Sequence, residues 1–138
     1  DGNGFEGTRR VIDLSGDGPN NGGDLVTVAR TRALARGVII NGLPILDEEG
    51  GMYTWFNIPN LDLYFQNCVI GGPGAFIVVA ADFKDFARAV RRKLILEIAG
   101  RAPPPQRPRL IRAQARRRAR ISPPCDIGER LMRERFDN

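Results

Sequence analysis

The sequence predicts an α/β fold with parallel strands, and three observations carry this prediction. Three short apolar runs have the length and composition of buried strands, and they occupy residues 10–14, 38–41 and 75–80. Turns or loops rich in glycine border these runs. A stretch with helical character comes after each run. This strand–helix order, repeated three times, is typical of parallel strands joined by right-handed crossovers.

The first predicted strand leads into a glycine-rich loop. Its apolar residues form a nearly continuous run, which is typical of a strand covered on both faces; they are Val11, Ile12 and Leu14. Glycine, proline and asparagine residues then break the strand over residues 16–23. Asp17 lies at the tip of this loop. Because open α/β sheets bind ligands at the carboxyl ends of their strands, Asp17 is the first candidate functional residue.

Three helices are predicted from apolar spacing and from residues that favour helix ends. They are expected at about residues 25–36, 61–69 and 83–99, with N-caps at Asp24, Asn60 and Asp82. Gly37 and Gly100 are expected to end the first and third helices. Apolar residues at helical spacing predict the buried face of these two helices. The faces comprise Leu25, Val28 and Ala29 in the first helix, and Phe83, Phe86, Ala87, Val90, Leu94 and Ile98 in the third.

Charge and composition divide the chain into a domain at residues 1–100 and a basic tail at residues 101–138. The first part carries ten Lys or Arg and twelve Asp or Glu, whereas the tail carries eleven and four, so the net charge of +5 comes from the tail. The Pro- and Arg-rich stretch is expected to have little fixed structure. Residues 126–136 are expected to form a short amphipathic helix. No apolar run approaches the length of a membrane-spanning helix.

Three further clusters are interpreted as surface features. The aromatic residues Tyr53, Trp55 and Phe56 lie in a polar excursion at residues 47–59, and they either pin this loop to the body, which we favour, or form a binding patch. The basic cluster at residues 91–93 is expected on the solvated face of the third helix. Residues 116–120 carry four arginines without interleaved aromatic residues, so no specific nucleic-acid binding is expected.

The absence of histidine from the sequence excludes several kinds of chemistry. Histidine-based acid–base catalysis, catalytic triads with histidine and histidine-ligated zinc all require this residue. The sequence also has no Gly-x-Ser-x-Gly motif, so a hydrolase is poorly supported and no enzymatic activity is expected. The two cysteines, Cys68 and Cys125, are too few for a cysteine-only zinc site. They either form one disulfide in an exported protein or stay reduced in a cytosol.

The loop after the first strand also permits a calcium site. Five of its residues match ligand or glycine positions of an EF-hand-type loop; they are Asp13, Ser15, Asp17, Gly18 and Asp24. Against a calcium site, a strand precedes the loop where an EF-hand has a helix, and Asp24 replaces the bidentate glutamate. A third interpretation is that Asp17 and the neighbouring asparagines only cap the first helix.

Four blocks of sequence, in order, resemble a bacterial family of uncharacterised exported proteins with a von Willebrand factor A-like fold. The blocks are VIDLSGDGPNN, NGLPI, LDLYFQNCVIGGPGAF and FARAVRRKLILEIAG. The resemblance covers about residues 4–100. It implies the C-terminal half of a doubly wound, mainly parallel, Rossmann-like sheet, followed here by the irregular basic tail. It also implies an exported protein with a periplasmic or extracellular location.

The resemblance implies noncatalytic, metal-assisted binding of a protein partner. In such domains a metal-ion-dependent adhesion site draws ligands from three loops, and Asp17 resembles the third contribution, whereas the other two have no counterpart in this chain. One carboxylate holds a divalent ion weakly, so Mg²⁺ or Mn²⁺ binding to this chain is expected to be weak or absent. In a complete domain the first strand would lie mid-sheet. Its free edge therefore predicts self-association or marginal stability.

Overall fold

The computed structural model describes residues 7, 9–46, 57–99 and 120–136 of the chain. In these ranges the protein has a mixed α/β fold, with a two-stranded parallel sheet and four α-helices. The elements in chain order are β1 (Arg10–Gly16), α1 (Val26–Ala35), β2 (Val38–Pro44), α2 (Leu61–Tyr64), α3 (Phe86–Ile98) and α4 (Ile127–Phe136). A π-helical segment, Phe65–Val69, continues directly from α2. The predicted α/β class is confirmed, and the doubly wound von Willebrand factor A-like sheet stays a prediction.

The strands β1 and β2 are parallel and in continuous register. Arg10 pairs with Val38 at one end and Gly16 pairs with Pro44 at the other. The third apolar run, residues 75–80, lies along the other edge of β2. Parallel bridges join Gly42 to Ile77 and Ile45 to Ala80. All three apolar runs therefore point in the same direction, although the third is a bridged segment and not a continuous strand.

The core lies on both faces of β2, because successive side chains of a strand point to opposite faces. On one face, Leu43 and Ile45 pack with alternate residues of the third run and with α3. Residues of α2, the π-helical segment, α1 and α4 form a second cluster on the other side. Gly42 permits this packing, since a Cβ atom there would lie 2.8 Å from Cδ1 of Phe65. The sheet is thus held between helices.

The prediction that β1 is covered on both faces is wrong. Ile12 and Leu14 are 43% and 42% exposed. The physical reason is that, among the described residues, β1 pairs only with β2, and the core clusters are centred on β2 and the third run. The predicted self-association through the edge of β1 is untested and stays a prediction.

The predicted packing face of α1 is also wrong, because Leu25, Val28 and Ala29 are exposed. The partly buried side of α1 includes Val26, which packs against the second cluster, and Leu34. A Cβ atom on Gly71 would lie only 2.9 Å from Cδ1 of Leu34, so α1 is rotated to place this leucine against the turn after the π-helical segment.

The predicted helix ends are correct at only some positions. Gly37 ends α1 with a φ of +71°, as expected for a glycine stop. The predicted N-cap Asp24 is wrong, because Leu25 holds that position in α1 and the Asp24 carboxylate pairs with Arg32. Asn60 lies at the N-cap position of α2 as predicted, in a left-handed conformation, but its side chain makes no capping hydrogen bond. Gly100, which is predicted to end the third helix, lies outside the described residues. For the third helix, the Asp82 carboxylate accepts a hydrogen bond from the Asp85 N–H, and α3 starts one residue later.

The predicted apolar stripe of α3 matches its buried face only in part. Phe86 and Val90 pack against the cluster around Leu43, as predicted. Phe83, Leu94 and Ile98 are exposed, and the buried residues of α3 are Ala89 and Lys93. The turn at residues 81–85 delays the start of the helix. The sheet-facing side also accepts a lysine, which apolar periodicity does not anticipate. The prediction that Lys93 is solvated is therefore wrong, although its neighbours Arg91 and Arg92 are exposed.

The described part of the tail packs on the domain. Residues 120–122 contact residues 60–63 at the start of α2, and α4 occupies the region for which a short helix is predicted. The predictions for the aromatic residues at 53–56 and for the basic stretch at 101–119 lie outside the described residues. Where the structure is described, none of the helices combines the length and the apolar character needed to span a bilayer.

Candidate functional site

The candidate site lies at the carboxyl ends of the strands. Asp17 follows the last residue of β1 directly, and it is exposed. The strands are parallel, so β1 and β2 end at the same edge of the sheet, where α/β proteins commonly bind ligands. The sequence prediction for the position of Asp17 in the fold agrees with the structure. Whether this residue binds a metal is a separate question.

The loop after Asp17 is fixed to two distant parts of the chain by Asn20. The Asn20 backbone N–H donates a hydrogen bond to the Tyr64 hydroxyl at 3.1 Å. Its side-chain amide donates to the carbonyl oxygen of Asp24 at 3.1 Å and to Oε1 of Glu129 at 2.6 Å. Asn20 therefore connects the loop after β1 to α2 and to α4.

Tyr64 anchors this arrangement from the core, where it is almost completely buried. Burial raises the pKa of the Tyr64 hydroxyl above its ordinary value. The hydrogen bond from the Asn20 N–H lowers this pKa, and the nearby Glu129 carboxylate raises it. The hydroxyl therefore stays protonated at neutral pH, and it holds the loop as a hydrogen-bond acceptor.

The first turn of α4 lies directly against this loop. A Cβ atom on Gly128 would lie 1.8 Å from the carbonyl oxygen of Asn20, so only glycine permits this approach. The next residue, Glu129, carries a carboxylate whose Oε2 atom is buried and has no hydrogen-bond partner in the structure. An acidic side chain from the tail is thus placed beside the candidate site.

The tail is held in this position by a disulfide and by polar contacts. Cys68 in the π-helical segment is bonded to Cys125, with their Cα atoms 5.4 Å apart. Arg120 forms an ion pair with Asp62, and its Nε donates to Oδ1 of Asn60 at 2.9 Å. The Asn60 side chain in turn donates to the carbonyl oxygen of Ile121 at 3.1 Å. These contacts fix the residues that precede α4.

A polar cavity of about 270 Å³ lies next to these contacts. It is lined by Leu46, Asn57, Asn60, Leu61, Asp62 and Arg120. Leu46 lies just beyond the carboxyl end of β2, so the cavity lies at the same end of the sheet as Asp17. The carboxyl end of the sheet therefore offers an exposed carboxylate and a small polar cavity, both bordered by the tail.

The structure does not bring the residues of the calcium-type loop together. The Asp13 carboxylate pairs with Nζ of Lys93, and the Asp24 carboxylate pairs with Arg32. Ser15 is exposed. Across residues 7, 9–46, 57–99 and 120–136, no group of three or more His, Cys, Asp or Glu is placed so that it could hold a metal ion. Metal binding by Asp17, or by the calcium-type set, stays a prediction.

Sequence reasoning missed a polar cluster between β1 and α3 that is centred on a buried lysine. Lys93 is 4% exposed, and it pairs with Asp13 and, at 3.4 Å, with Glu97. Asn41 donates to Oε1 of Glu97 at 3.4 Å. A buried ammonium group needs such partners, because burial without them costs several kcal/mol, as an order of magnitude. The cluster therefore links β1 to α3 and explains why Asp13 is turned away from the loop.

A signal for this cluster exists in the sequence. Phe86, Ala89 and Lys93 fall on one helical face with i, i+3 and i+7 spacing, and Glu97 follows Lys93 at i+4. The contact between Asn20 and Gly128 has no comparable signal, because 108 positions along the chain separate residues that touch only in the folded protein.

The chain matches the model of a known protein family. A family model with the description "Protein of unknown function (DUF1194)" matches residues 1–102, which is more than half of the chain. The chain belongs to this family. The DUF1194 match includes β1, β2 and the first three helices, and it ends before α4. Comparisons with curated proteins and with solved structures gave no match.

Membership in DUF1194 confirms the part of the resemblance that concerns a family of unknown function. The von Willebrand factor A-like character and the export of the protein stay predictions. Because the DUF1194 description assigns no activity, function has to be argued from the residues at the candidate site.

Proposed function

We propose that this DUF1194 domain is a noncatalytic binding module whose loop after β1 contacts a protein partner with the help of a divalent cation. The observation that carries the proposal is the position of Asp17, exposed at the carboxyl end of β1 in a parallel sheet. The loop is also fixed through Asn20 to Tyr64 and Glu129. A site held in place before binding loses less conformational entropy when a partner arrives.

In the proposed mechanism Asp17 supplies one oxygen ligand to Mg²⁺ or Mn²⁺, and a carboxylate of the partner supplies another. Both ions prefer hard oxygen ligands in octahedral geometry and keep several bound waters. Gly16 and Gly18 flank Asp17 and leave space around its carboxylate. Strong sites combine several charged ligands, so a chain with one such residue at the site holds the ion weakly. The partner then contributes much of the affinity.

Two observations support a binding role in an exported protein. The whole sequence has no histidine, the residue used most often for acid–base catalysis near neutral pH. The disulfide between Cys68 and Cys125 supports export, because such bonds persist in oxidising compartments and are rare in the cytosol.

Paramagnetic Mn²⁺ tests the metal part of this proposal even when binding is weak. We expect Mn²⁺ to broaden the backbone amide NMR signals of Gly16, Gly18 and Asn20 first, with a dissociation constant on the order of 1 mM. Asp17→Asn keeps the size of the side chain and removes its charge, so the selective broadening should disappear. Asp82→Asn is the matched control, because Asp82 is an exposed acidic residue elsewhere and its Oδ1 contact survives the change.

Titrations with Ca²⁺ and Mg²⁺ separate the proposal from its alternative. The alternative is a calcium-stabilised structural module that uses the loop from Asp13 to Asp24. That module requires Ca²⁺ to bind more tightly than Mg²⁺ and to lose affinity in Asp24→Asn. If broadening by Mn²⁺ persists unchanged in Asp17→Asn, the proposed role of Asp17 is wrong.

A further inference from the structure

A second concavity lies at the opposite end of the sheet, beside the amino ends of β1 and β2. Its volume is about 480 Å³, which is within the range of small-molecule binding sites. Three short pieces of chain form it: the start of β1, the turn from α1 into β2, and the turn after the π-helical segment. The residues around it are Gly7, Arg9, Arg10, Leu34, Arg36, Gly37, Val38, Ile39, Gly72 and Pro73.

The charged residues of this concavity have one sign. Arg9, Arg10 and Arg36 contribute three guanidinium groups, and none of the described residues that line it carries a carboxylate. Within the described residues, Arg9 and Arg36 form no ion pair with an acidic side chain. The two guanidinium groups of Arg9 and Arg36 create a positive potential that favours an anion. Guanidinium also binds carboxylate and phosphate in a bidentate manner.

The remaining surface of the concavity is mostly apolar. Leu34, Val38 and Ile39 are partly buried and contribute aliphatic side chains. Gly72 has a φ of +96°, and a Cβ atom there would lie 3.1 Å from the Cα of Ile39. A side chain at position 72 is therefore excluded, and the peptide backbone forms this part of the wall. Small-molecule sites commonly combine such an apolar lining with a few charged groups that fix orientation.

We propose that this concavity binds an amphiphilic organic anion, in which a carboxylate or a phosphate is attached to an apolar body. The anionic group pairs with Arg9 and Arg36, and the apolar body lies against Leu34, Val38 and Ile39. The concavity is at the amino ends of the strands, whereas Asp17 is at the carboxyl ends. This proposal is therefore independent of the proposed metal-assisted function.

Four eight-carbon probes test the proposal without any change to the protein. Octanoate and octyl phosphate carry the two anionic groups on the same body, whereas octanol is neutral and octylammonium is cationic. We expect the two anions to shift the amide NMR signals of Gly37, Ile39 and Gly72, and the other two probes to leave these signals unchanged. A phosphate preference would identify a phosphate ester as the ligand type, and a carboxylate preference would identify an acid.

A series of shorter carboxylates tests the apolar part of the site. Acetate, butyrate, hexanoate and octanoate carry the same charge on bodies of increasing length. We expect affinity to rise about two- to fourfold for each added CH₂ group that contacts the apolar wall. Equal affinity across the series would overturn the proposed amphiphilic ligand.

Substitution of the arginines tests the charged part. The double variant Arg9→Gln with Arg36→Gln should weaken octanoate binding about tenfold or more, because it removes charge-assisted hydrogen bonds. Both residues are exposed, so the fold should be retained. The matched control is Arg91→Gln with Arg92→Gln, which removes two exposed arginines of α3 that do not line the concavity. The proposal is overturned if octanoate does not bind at 10 mM, as an order-of-magnitude ceiling for a weak site, if octylammonium binds equally well, or if both double variants behave alike.

Discussion

The two ends of the sheet differ in how they are built. At the carboxyl end, the loop after β1 is held by Tyr64 and by Glu129, residues that lie far from it in the sequence. At the amino end, each wall of the arginine-lined concavity is a short continuous piece of chain. The structure of the carboxyl end is thus held by contacts between residues distant in sequence and by a disulfide, whereas the structure of the amino end is held mainly by the sheet itself. Changes to the tail should therefore affect the first end and leave the second unchanged.

Removing the disulfide should cause the largest loss of stability. Cys68 and Cys125 are separated by 57 residues, and the chain-entropy model gives a loss of about 4 kcal/mol in the free energy of unfolding for Cys125→Ser. Urea denaturation without reductant measures this loss. Hydrogen exchange should show faster exchange in α4, and the amide signals of Gly37 and Gly72 at the amino end should not move below the unfolding transition.

The control for this variant is Ser122→Ala in the same segment. The Ser122 hydroxyl donates to the carbonyl oxygen of Leu63 at 3.4 Å and to that of the adjacent Pro123 at 3.2 Å, and both hydrogen bonds are long, so the loss should be under about 1 kcal/mol. If Cys125→Ser is no less stable than Ser122→Ala, the disulfide does not control the carboxyl end.

A methyl group at position 128 should have the next largest effect. In Gly128→Ala the new Cβ atom would lie 1.8 Å from the carbonyl oxygen of Asn20, so α4 must shift away from the loop. We expect a loss of about 1–3 kcal/mol in the free energy of unfolding, even though alanine favours helix formation by about 1 kcal/mol. Thermal unfolding checks the loss, and NMR checks whether the Asn20 side-chain amide signal moves.

Gly22→Ala is the matched control, because a Cβ atom on Gly22 meets nothing within 4 Å. Its stability should change by less than about 0.5 kcal/mol. Similar losses in the two variants would mean that the contact between α4 and the loop is not specific.

Lowering the pH should cause the smallest of these losses of stability. The hydrogen bond from Arg88 lowers the pKa of the Asp85 carboxyl to about 2, and a hydrogen bond from the Ala81 N–H contributes further. The pKa is lower in the folded than in the unfolded protein, so the stabilisation is present above about pH 4. It is lost as the pH falls towards 2. Carbon-13 NMR of the carboxyl group should show this midpoint, and Arg88→Gln should raise it.

Arg92→Gln is the control, because Arg92 is exposed and makes no described contact with Asp85. The response to acid should also differ between the two ends of the sheet. None of the described residues that line the amino-end concavity carries a carboxyl group, so the charge of these residues should be the same at pH 3 as at pH 7. An Asp85 midpoint near its ordinary value would contradict the assigned contacts.

The sequence was sufficient to predict the elements but not their orientations. Apolar runs and glycine turns predicted the parallel direction of the strands and the position of Asp17 after the first strand, because these features depend on local periodicity and on strand order. The buried face of α1 was predicted wrongly, and that of α3 was predicted only in part. A helix with apolar residues on several sides offers more than one face to a sheet, and contacts such as Leu34 with Gly71 select between them.

Lys93 shows most clearly where prediction from the sequence fails. Its basic neighbours favour a solvated position, yet the side chain is buried because Asp13 on β1 and Glu97 on α3 neutralise it. The partner at i+4, Glu97, is visible in the sequence, whereas the ion pair with Asp13 joins distant residues, and a single sequence does not reveal it. The docking of Gly128 on Asn20 was missed for the same reason.

The bond between Cys68 and Cys125 has a consequence for proteolysis. It closes a covalent ring that contains α3 and the arginine-rich stretch at residues 101–119. A trypsin-like protease that nicks the backbone after an arginine in that stretch would leave two polypeptides joined through sulfur. Detachment of the C-terminal piece would then require two separate chemical events, one hydrolytic and one reductive.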